Sequence, residues 1–429
     1  MDAELSKYQD LISQGEALYS VGKYDDALEF FERAMQEEPM NIQAYICAAQ
    51  ANIFKDEYDK ARDWLKKAVL IDKNDAVTYF HMGNVEMLDG NREAARENYA
   101  KAIGLGYSGV QIYINMAADA EERSDYEEAI RYYDRLLALD KFNAYAKTRK
   151  IQVYLIQNKL PEALVACDSM IETNPDLIDA YHYKFAILLD MGKENEAETV
   201  LNTAAAMFTD NEALAFDKAT LLESKGESAK AVEMLNTLKI TPENERIINS
   251  KKAGIYLAAG QYKDAQALLE PFFEKTHDGE AAYFLTAIYM AEKEYDKAIK
   301  TSEVVVEARE RSDYYYAALY FHAMAMKKAG KEGAAEAINE ANQVFRAACV
   351  ANPGQVQFYL YRAMCHKELR EFEAAMEMLD YITRVAPDLA EGFYLRSLIY
   401  KELNQTEKAE EDRAKALSLK PEIEELLGA

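Results

Sequence analysis

Along most of the chain, apolar and polar residues fall in blocks with the spacing of amphipathic helices. In GKYDDALEFFERAMQEEP, which ends at Pro39, the residues Tyr24, Ala27, Phe31 and Ala34 stand three and four apart with charged residues between them. Residues at that spacing share one face of an α-helix. A second apolar stripe precedes each such stretch, and a turn that often holds Gly, Asn or Asp separates the two. The pattern therefore predicts helix–turn–helix units.

The unit recurs along the chain. Its alanine stands at Ala27, Ala61, Ala95, Ala129, Ala163, Ala197, Ala231 and Ala265, each 34 residues after the last. Ala298, Ala335, Ala375 and Ala409 continue the series at spacings of 33, 37, 40 and 34, which makes twelve units. This alanine is expected where two helices cross too closely for a larger side chain. Glycines such as Gly22, Gly90 and Gly330 occupy the turn, where a left-handed backbone ends the first helix. Tyr24, Tyr58, Tyr126, Tyr262, Tyr295 and Phe372 open the second helix, and Pro39, Pro175, Pro353, Pro387 and Pro421 stop it.

This pattern resembles the tetratricopeptide repeat (TPR) family, from about Tyr8 to the C-terminus. Tyr45, Tyr79, Tyr113, Tyr181 and Tyr359 stand where that family usually has tryptophan. The resemblance implies an all-α fold, a right-handed α-solenoid superhelix of antiparallel helix pairs whose first helices line a concave groove. It also implies a non-catalytic scaffold or adaptor that binds a protein or peptide segment in that groove. The alternative is a regulatory sensor that binds a small peptide or metabolite there and signals through a partner.

Register divides the array. Residues 8–278 hold repeats one to eight in near-perfect 34-residue spacing, and residues 279–429 hold repeats nine to twelve with irregular spacing and a short C-terminal tail. Pro271 falls inside a second helix and is expected to kink it, with a change of curvature near residues 271–279. Repeat ten has 18 residues from Ala335 to Pro353, where repeat one has 12 from Ala27 to Pro39. Its second helix is therefore expected to be longer by about one and a half turns, with an end protruding near Ala347 to Ala351. The acidic tail EIEELLGA is expected to cap the last helix only in part, and an uncapped end favours weak self-association through the terminal repeats.

Charge and chemistry narrow the function. The formal net charge is -25, and a polyanion repels nucleic acid and anionic lipid, so neither is an expected partner. No run of eighteen apolar residues and no secretory leader pattern is present, and Cys47, Cys167, Cys349 and Cys365 show no paired spacing. A cytoplasmic location is expected. Gly104, Gly106 and Gly109 have the spacing of a dinucleotide-binding loop, but they follow a helical stretch, so an inter-repeat turn is expected. The five histidines are scattered among repeats, and no nucleophile, metal or phosphate constellation emerges. No enzyme activity, cofactor or metal is therefore expected.

In the resembled family, positions 2, 5, 9 and 12 of each first helix face the groove, and 5, 9 and 12 share one helical face. Repeats ten to twelve offer Tyr320, Met324 and Lys327, then Leu360, Met364 and Lys367, then Tyr394, Leu398 and Lys401, with Tyr283 and Met290 from repeat nine. Together they suggest an apolar stripe beside a row of ammonium groups, suited to a protein or peptide with an acidic segment. Lysine in a helix's last turn also suits the helix dipole, and apolar residues there also suit packing between repeats. A second candidate patch comprises Ile46, Gln50, Ile53, Phe80, Asn84 and Met87, where amides among apolar side chains can bond a peptide backbone. Lysine is missing from position 5 throughout, which speaks against a clamp for a chaperone's terminal carboxylate.

Overall fold

A computed structural model of the chain describes residues 6–209, 211–309, 312–421 and 423–424. The described residues form twenty-four α-helices and no strand. The helices alternate as first and second members of twelve antiparallel pairs, which is the all-α solenoid the repeat implied. Two compact units divide after Asp217. That division reflects compactness, whereas the change of spacing at residue 279 is a property of the repeat register.

In the first unit, α1 (Lys7–Ser20) pairs with α2 (Tyr24–Glu37), and α3 (Ile42–Phe54) pairs with α4 (Tyr58–Ile71). Next come α5 (Ala76–Leu88) with α6 (Arg92–Gly104) and α7 (Val110–Glu122) with α8 (Tyr126–Leu139). α9 (Ala144–Ile156) with α10 (Leu160–Thr173) and α11 (Ile178–Asp190) with α12 (Glu194–Met207) follow, and α13 (Glu212–Ser224) carries the division. Besides its own partner, α1 touches α3, and α3 touches α5. No two successive second helices in this unit make a comparable contact among the described residues. The first helices are thus the tighter layer and form the unit's inner face.

The repeat markers explain the packing. Ala27, Ala61, Ala95 and Ala129 are fully buried, and so are the large side chains four residues on, Phe31, Leu65, Tyr99 and Tyr133. Opposite one of these rings the first helix must be bare. A Cβ on Gly83 would lie 2.4 Å from the Tyr99 ring. The turn between paired helices is left-handed whether or not glycine is present, with φ of 76° at Gly22 but also 56° at Asp56 and 64° at Lys293. The tyrosines in the family's tryptophan position use their hydroxyls: Tyr45 donates to the Pro39 carbonyl at 3.0 Å and Tyr181 to the Pro175 carbonyl at 3.2 Å. The glycine triplet is the expected turn, since Gly104 ends α6, Gly106 has φ 94° and Gly109 caps α7.

The second unit departs from the regular pattern in two places. The second helix of repeat seven, α14 (Ser228–Asn236), has 9 residues where α2 has 14. The stretch that follows, TLKITP, holds β-branched residues and a proline, all poor helix formers. The unit continues with α15 (Glu245–Ala258), α16 (Tyr262–Thr276), α17 (Gly279–Ala291), α18 (Tyr295–Ala308) and α19 (Asp313–Lys328). α16 runs on through Pro271 and closes at His277, whose φ is 53°. Then come α20 (Ala334–Ala351), α21 (Val356–Glu368), α22 (Phe372–Val385), α23 (Ala390–Glu402) and α24 (Thr406–Leu419).

Repeat ten requires a correction. Ala335 is exposed, so it is not the helix-crossing alanine. Ala341, Phe345 and Ala348 are buried at the spacing of Ala27, Phe31 and Ala34. With Ala341 as marker, the gap after Ala298 is 43 residues and the gap to Ala375 returns to 34. The extra turn of α20 therefore lies at its start, and Ala347 to Ala351 is an ordinary helix end, not a protruding one. In the tail, residues 422 and 425–429 lie outside the described residues. Ile423 is buried against Tyr394 and Ala416, and Arg413 donates to Glu424 at 2.9 Å.

Candidate partner-binding groove

The positions that face out from the inner layer differ from those expected. At position 5, Phe80, Tyr320, Leu360 and Tyr394 are buried, Ile46 and Tyr283 are half-buried, and His182 is exposed. The accessible face instead runs through positions 2, 6, 9 and 13, as Gln111, Asn115, Ala118 and Glu122 do on α7. Positions 2 and 9 are common to both, and at about 100° per residue the face is rotated by about half a residue step from the expected 2, 5, 9 and 12.

On the first unit this face forms a groove of about 410 Å³ across α1, α3, α5 and α7. Its rim is apolar. Phe54 and Leu88 are 60% and 55% exposed, while Ile53 and Met87 are half-buried beside them. Phe54 is held by aromatic contact, stacked on Tyr24 at 5.5 Å and edge-on to Tyr19 at 5.5 Å.

The floor is a chain of amides. Gln50 Nε2 lies 3.3 Å from His81 Nε2. Asn84 Oδ1 accepts from the Tyr99 hydroxyl at 2.8 Å and from Asn115 Nδ2 at 3.0 Å, and Gln111 donates to Asn115 Oδ1 at 2.8 Å. Burial drives the His81 imidazole down to about 4, which keeps it neutral near neutral pH, and pushes the Tyr99 hydroxyl up to about 12.

One end of the groove is charged but self-neutralised. The Asp119 carboxylate is buried and receives Arg92 at 3.4 Å, Arg96 at 3.2 Å and Arg123 at 3.0 Å. Arg92 also pairs with Glu122. A buried carboxylate is tolerable only when paired in this way.

Of the second candidate patch, Gln50, Ile53, Asn84 and Met87 line this groove. Phe80 does not, because it stacks on Tyr107 at 4.5 Å inside the core. Ile46 packs against Ala49 and Leu65. Reading position 5 as outward missed His81, Asn115, Phe54 and Leu88, which stand one residue further along their helices. The exposed aromatic Phe54 beside Ile53 was the available signal.

The C-terminal strip is not assembled as expected. Tyr320 and Met324 are core residues packed with Phe345, Leu360 packs with Leu379, and Tyr394 packs with Ala416. Met290, Met364 and Leu398 are half-buried against the same clusters, and Tyr283 stacks on Phe321 at 6.3 Å. The lysine row is closed by Glu368, which accepts from Lys327 at 2.8 Å and Lys367 at 2.9 Å. Burial would raise the Glu368 carboxyl, but the two lysines hold it below the usual carboxylate range. Lys401 is exposed at the end of α23. Packing thus accounts for the apolar half of the strip, and an internal ion pair for two of its lysines.

No group of three or more His, Cys, Asp or Glu among the described residues is arranged to hold a metal ion. No described helix is long and apolar enough to cross a membrane. Profiles of the tetratricopeptide repeat match residues 18–80, 114–177, 256–320 and 390–423. The chain belongs to the tetratricopeptide repeat family.

Among TPR proteins, anaphase-promoting complex subunit 3 of Schizosaccharomyces pombe is 23% identical over 175 residues, covering 41% of this chain and 26% of that protein. A TPR repeat-containing protein of Methanocaldococcus jannaschii is 24% identical over 268 residues, covering 58% of this chain and 46% of that protein. This chain thus spans from about a quarter to under half of the length of these relatives. The crystal structure of yeast Tom70 superposes with a TM-score of 0.50 at 15% identity, covering 97% of this chain and 99% of that one. That likeness shows the TPR solenoid fold.

Proposed function

We propose that the chain is a non-catalytic scaffold or adaptor that holds a protein or peptide segment in the groove of its first unit. One observation carries this reading: exposed Phe54 and Leu88 stand beside a floor of side-chain amides on a single face. Exposed apolar groups rimmed by polar ones are characteristic of binding surfaces. The fission-yeast relative is by name the subunit of a larger complex, which fits a role in holding other proteins. A cytoplasmic setting accords with four free cysteines, all of them buried.

The test is photo-crosslinking in native extract, with a benzophenone amino acid replacing Leu88 in the groove or Leu70 on α4. Leu70 is 78% exposed and is not among the groove's lining residues. A defined protein captured through position 88 alone is the expected result, and identical captures from both positions would count against the groove. The groove's volume also lies in the range of small-ligand sites, which favours as a second reading a sensor of a small peptide or metabolite. Native mass spectrometry of the purified chain would reveal such a ligand as a discrete added mass.

A further inference from the structure

Resting on the reading above, we infer that the groove selects an extended, uncharged polypeptide segment whose apolar side chains stand three residues apart. The first argument is charge. The molecule carries a formal net charge of -25, yet this groove offers no unpaired charge. Of its lining residues, Arg92, Asp119 and Glu122 are ionic, and they are paired with one another. His81 is neutral near neutral pH. A charged residue entering between these walls would lose water and find no partner, a cost that an uncharged residue avoids.

The second argument is the count of donors. Both hydrogen bonds made by the Asn84 side chain use its oxygen. Its Nδ2 has no acceptor among the described residues, although an amide nitrogen can donate twice. Asn84 lines the groove one helical turn before Leu88, so a main-chain carbonyl of the occupant is a natural acceptor. A carbonyl is also an acceptor that every residue brings, which leaves the sequence requirement to the rim.

The third argument is spacing. Phe54 and Leu88 occupy equivalent places on successive first helices, 34 residues apart in sequence. Packed helices lie about 8–10 Å apart, and an extended chain in the polyproline II conformation rises about 3.1 Å per residue with three residues per turn. A segment in that conformation crossing the helices therefore meets one rim position about every three residues and turns the same face to each, so apolar side chains at i and i+3 match Phe54 and Leu88. The groove's 410 Å³ suits a short stretch rather than a folded domain.

The test uses capped serine–glycine peptides carrying two leucines two, three or four residues apart. A further set has lysine or glutamate between leucines three apart. Binding to the full chain is read by fluorescence anisotropy. The three-residue spacing should bind about tenfold tighter than the others, and either charged insertion should weaken it by about tenfold. Asn84→Ala should cost about tenfold, the size of one hydrogen bond. Because Asn84 also serves Tyr99 and Asn115, Leu88→Ser on the exposed rim provides a second variant. It should erase the spacing preference with helicity unchanged. Equal affinity at all spacings, tighter binding of a charged peptide, or no binding of any peptide would overturn the inference. If position 88 still crosslinks a protein while no peptide binds, the scaffold reading stands and this inference falls. If neither is seen, both fall.

Discussion

The two units solve one packing problem with different side chains. On the inner face of the first unit, successive first helices are joined by polar links. Gln50 meets His81, Asn84 meets Asn115, Glu121 meets Arg149, and Gln152 Nε2 donates to the Tyr183 hydroxyl at 2.8 Å. His182 closes the series on Asp217 at 2.8 Å. In the second unit rings join successive first helices as well, beside the Lys327–Glu368 ion pair. Tyr283 lies over Phe321 and Tyr320 meets Tyr361 at 5.8 Å between first helices, while Phe345 of the second helix α20 stacks on Tyr361 at 5.0 Å. Rings fill the space between helices and bury one another. Amides bridge the same space while leaving donors toward solvent. One fold thus gives a groove in the first unit and a packed seam in the second.

If that contrast is right, truncation should hurt the two units unequally. Phe345→Ala removes a fully buried ring and should cost about 3–5 kcal/mol. Gln152→Ala removes one bridging amide and should cost about 1 kcal/mol. Denaturant melts of each variant check the ratio, and equal losses would dissolve the distinction.

The polar unit should also respond to pH, through two histidines of opposite sign. Burial holds His81 at about 4, below the ordinary histidine value of 6.5. Its contribution is present above 6.5 and is lost as pH falls toward 4. The Asp217 hydrogen bond raises His182 above its ordinary value, so its contribution is present in acid and is lost as pH rises through the raised value. His81→Gln should flatten the acid limb of a stability-versus-pH curve, and His182→Gln the alkaline limb. A curve unchanged by both variants would show that these links carry no weight.

The smallest effect concerns the turns both units share. Lys293 adopts φ 64°, a conformation costly for any residue with a Cβ. Lys293→Gly should stabilise the second unit by about 1 kcal/mol, visible as a small rise in Tm. A fall in Tm would mean that the lysine side chain contributes more than its backbone strain costs.

Much of this architecture was legible in the sequence. Second helices begin at Tyr24, Tyr58, Tyr126 and Phe372, as the pattern predicted, because a large ring, a small residue and a stop signal at fixed offsets leave few alternatives. The site was harder to read. Inner-face residues differ from core residues by one step around the helix, and apolar residues occupy both. Phe80 and Phe54 show this, one buried and one exposed. Ala335 misled because alanine alone is a weak marker, whereas the trio Ala341, Phe345 and Ala348 carries the whole crossing geometry. The shortened α14 left its trace only in a cluster of β-branched residues before Pro242.

The insertion in repeat ten shows how such a molecule accommodates change. Nine residues more than the regular spacing separate Ala298 from Ala341, yet Ala375 and Ala409 follow at the old interval. In a globular domain a lengthening of that size would displace every later element from its partners. Here each helix pair answers only to its neighbours, so the surplus is absorbed within one repeat and the pattern resumes. The joint between α19 and α20, which with the start of α20 holds six of the nine, is therefore a place where such a chain can lengthen, decorate or graft sequence while the repeats on either side keep their own geometry.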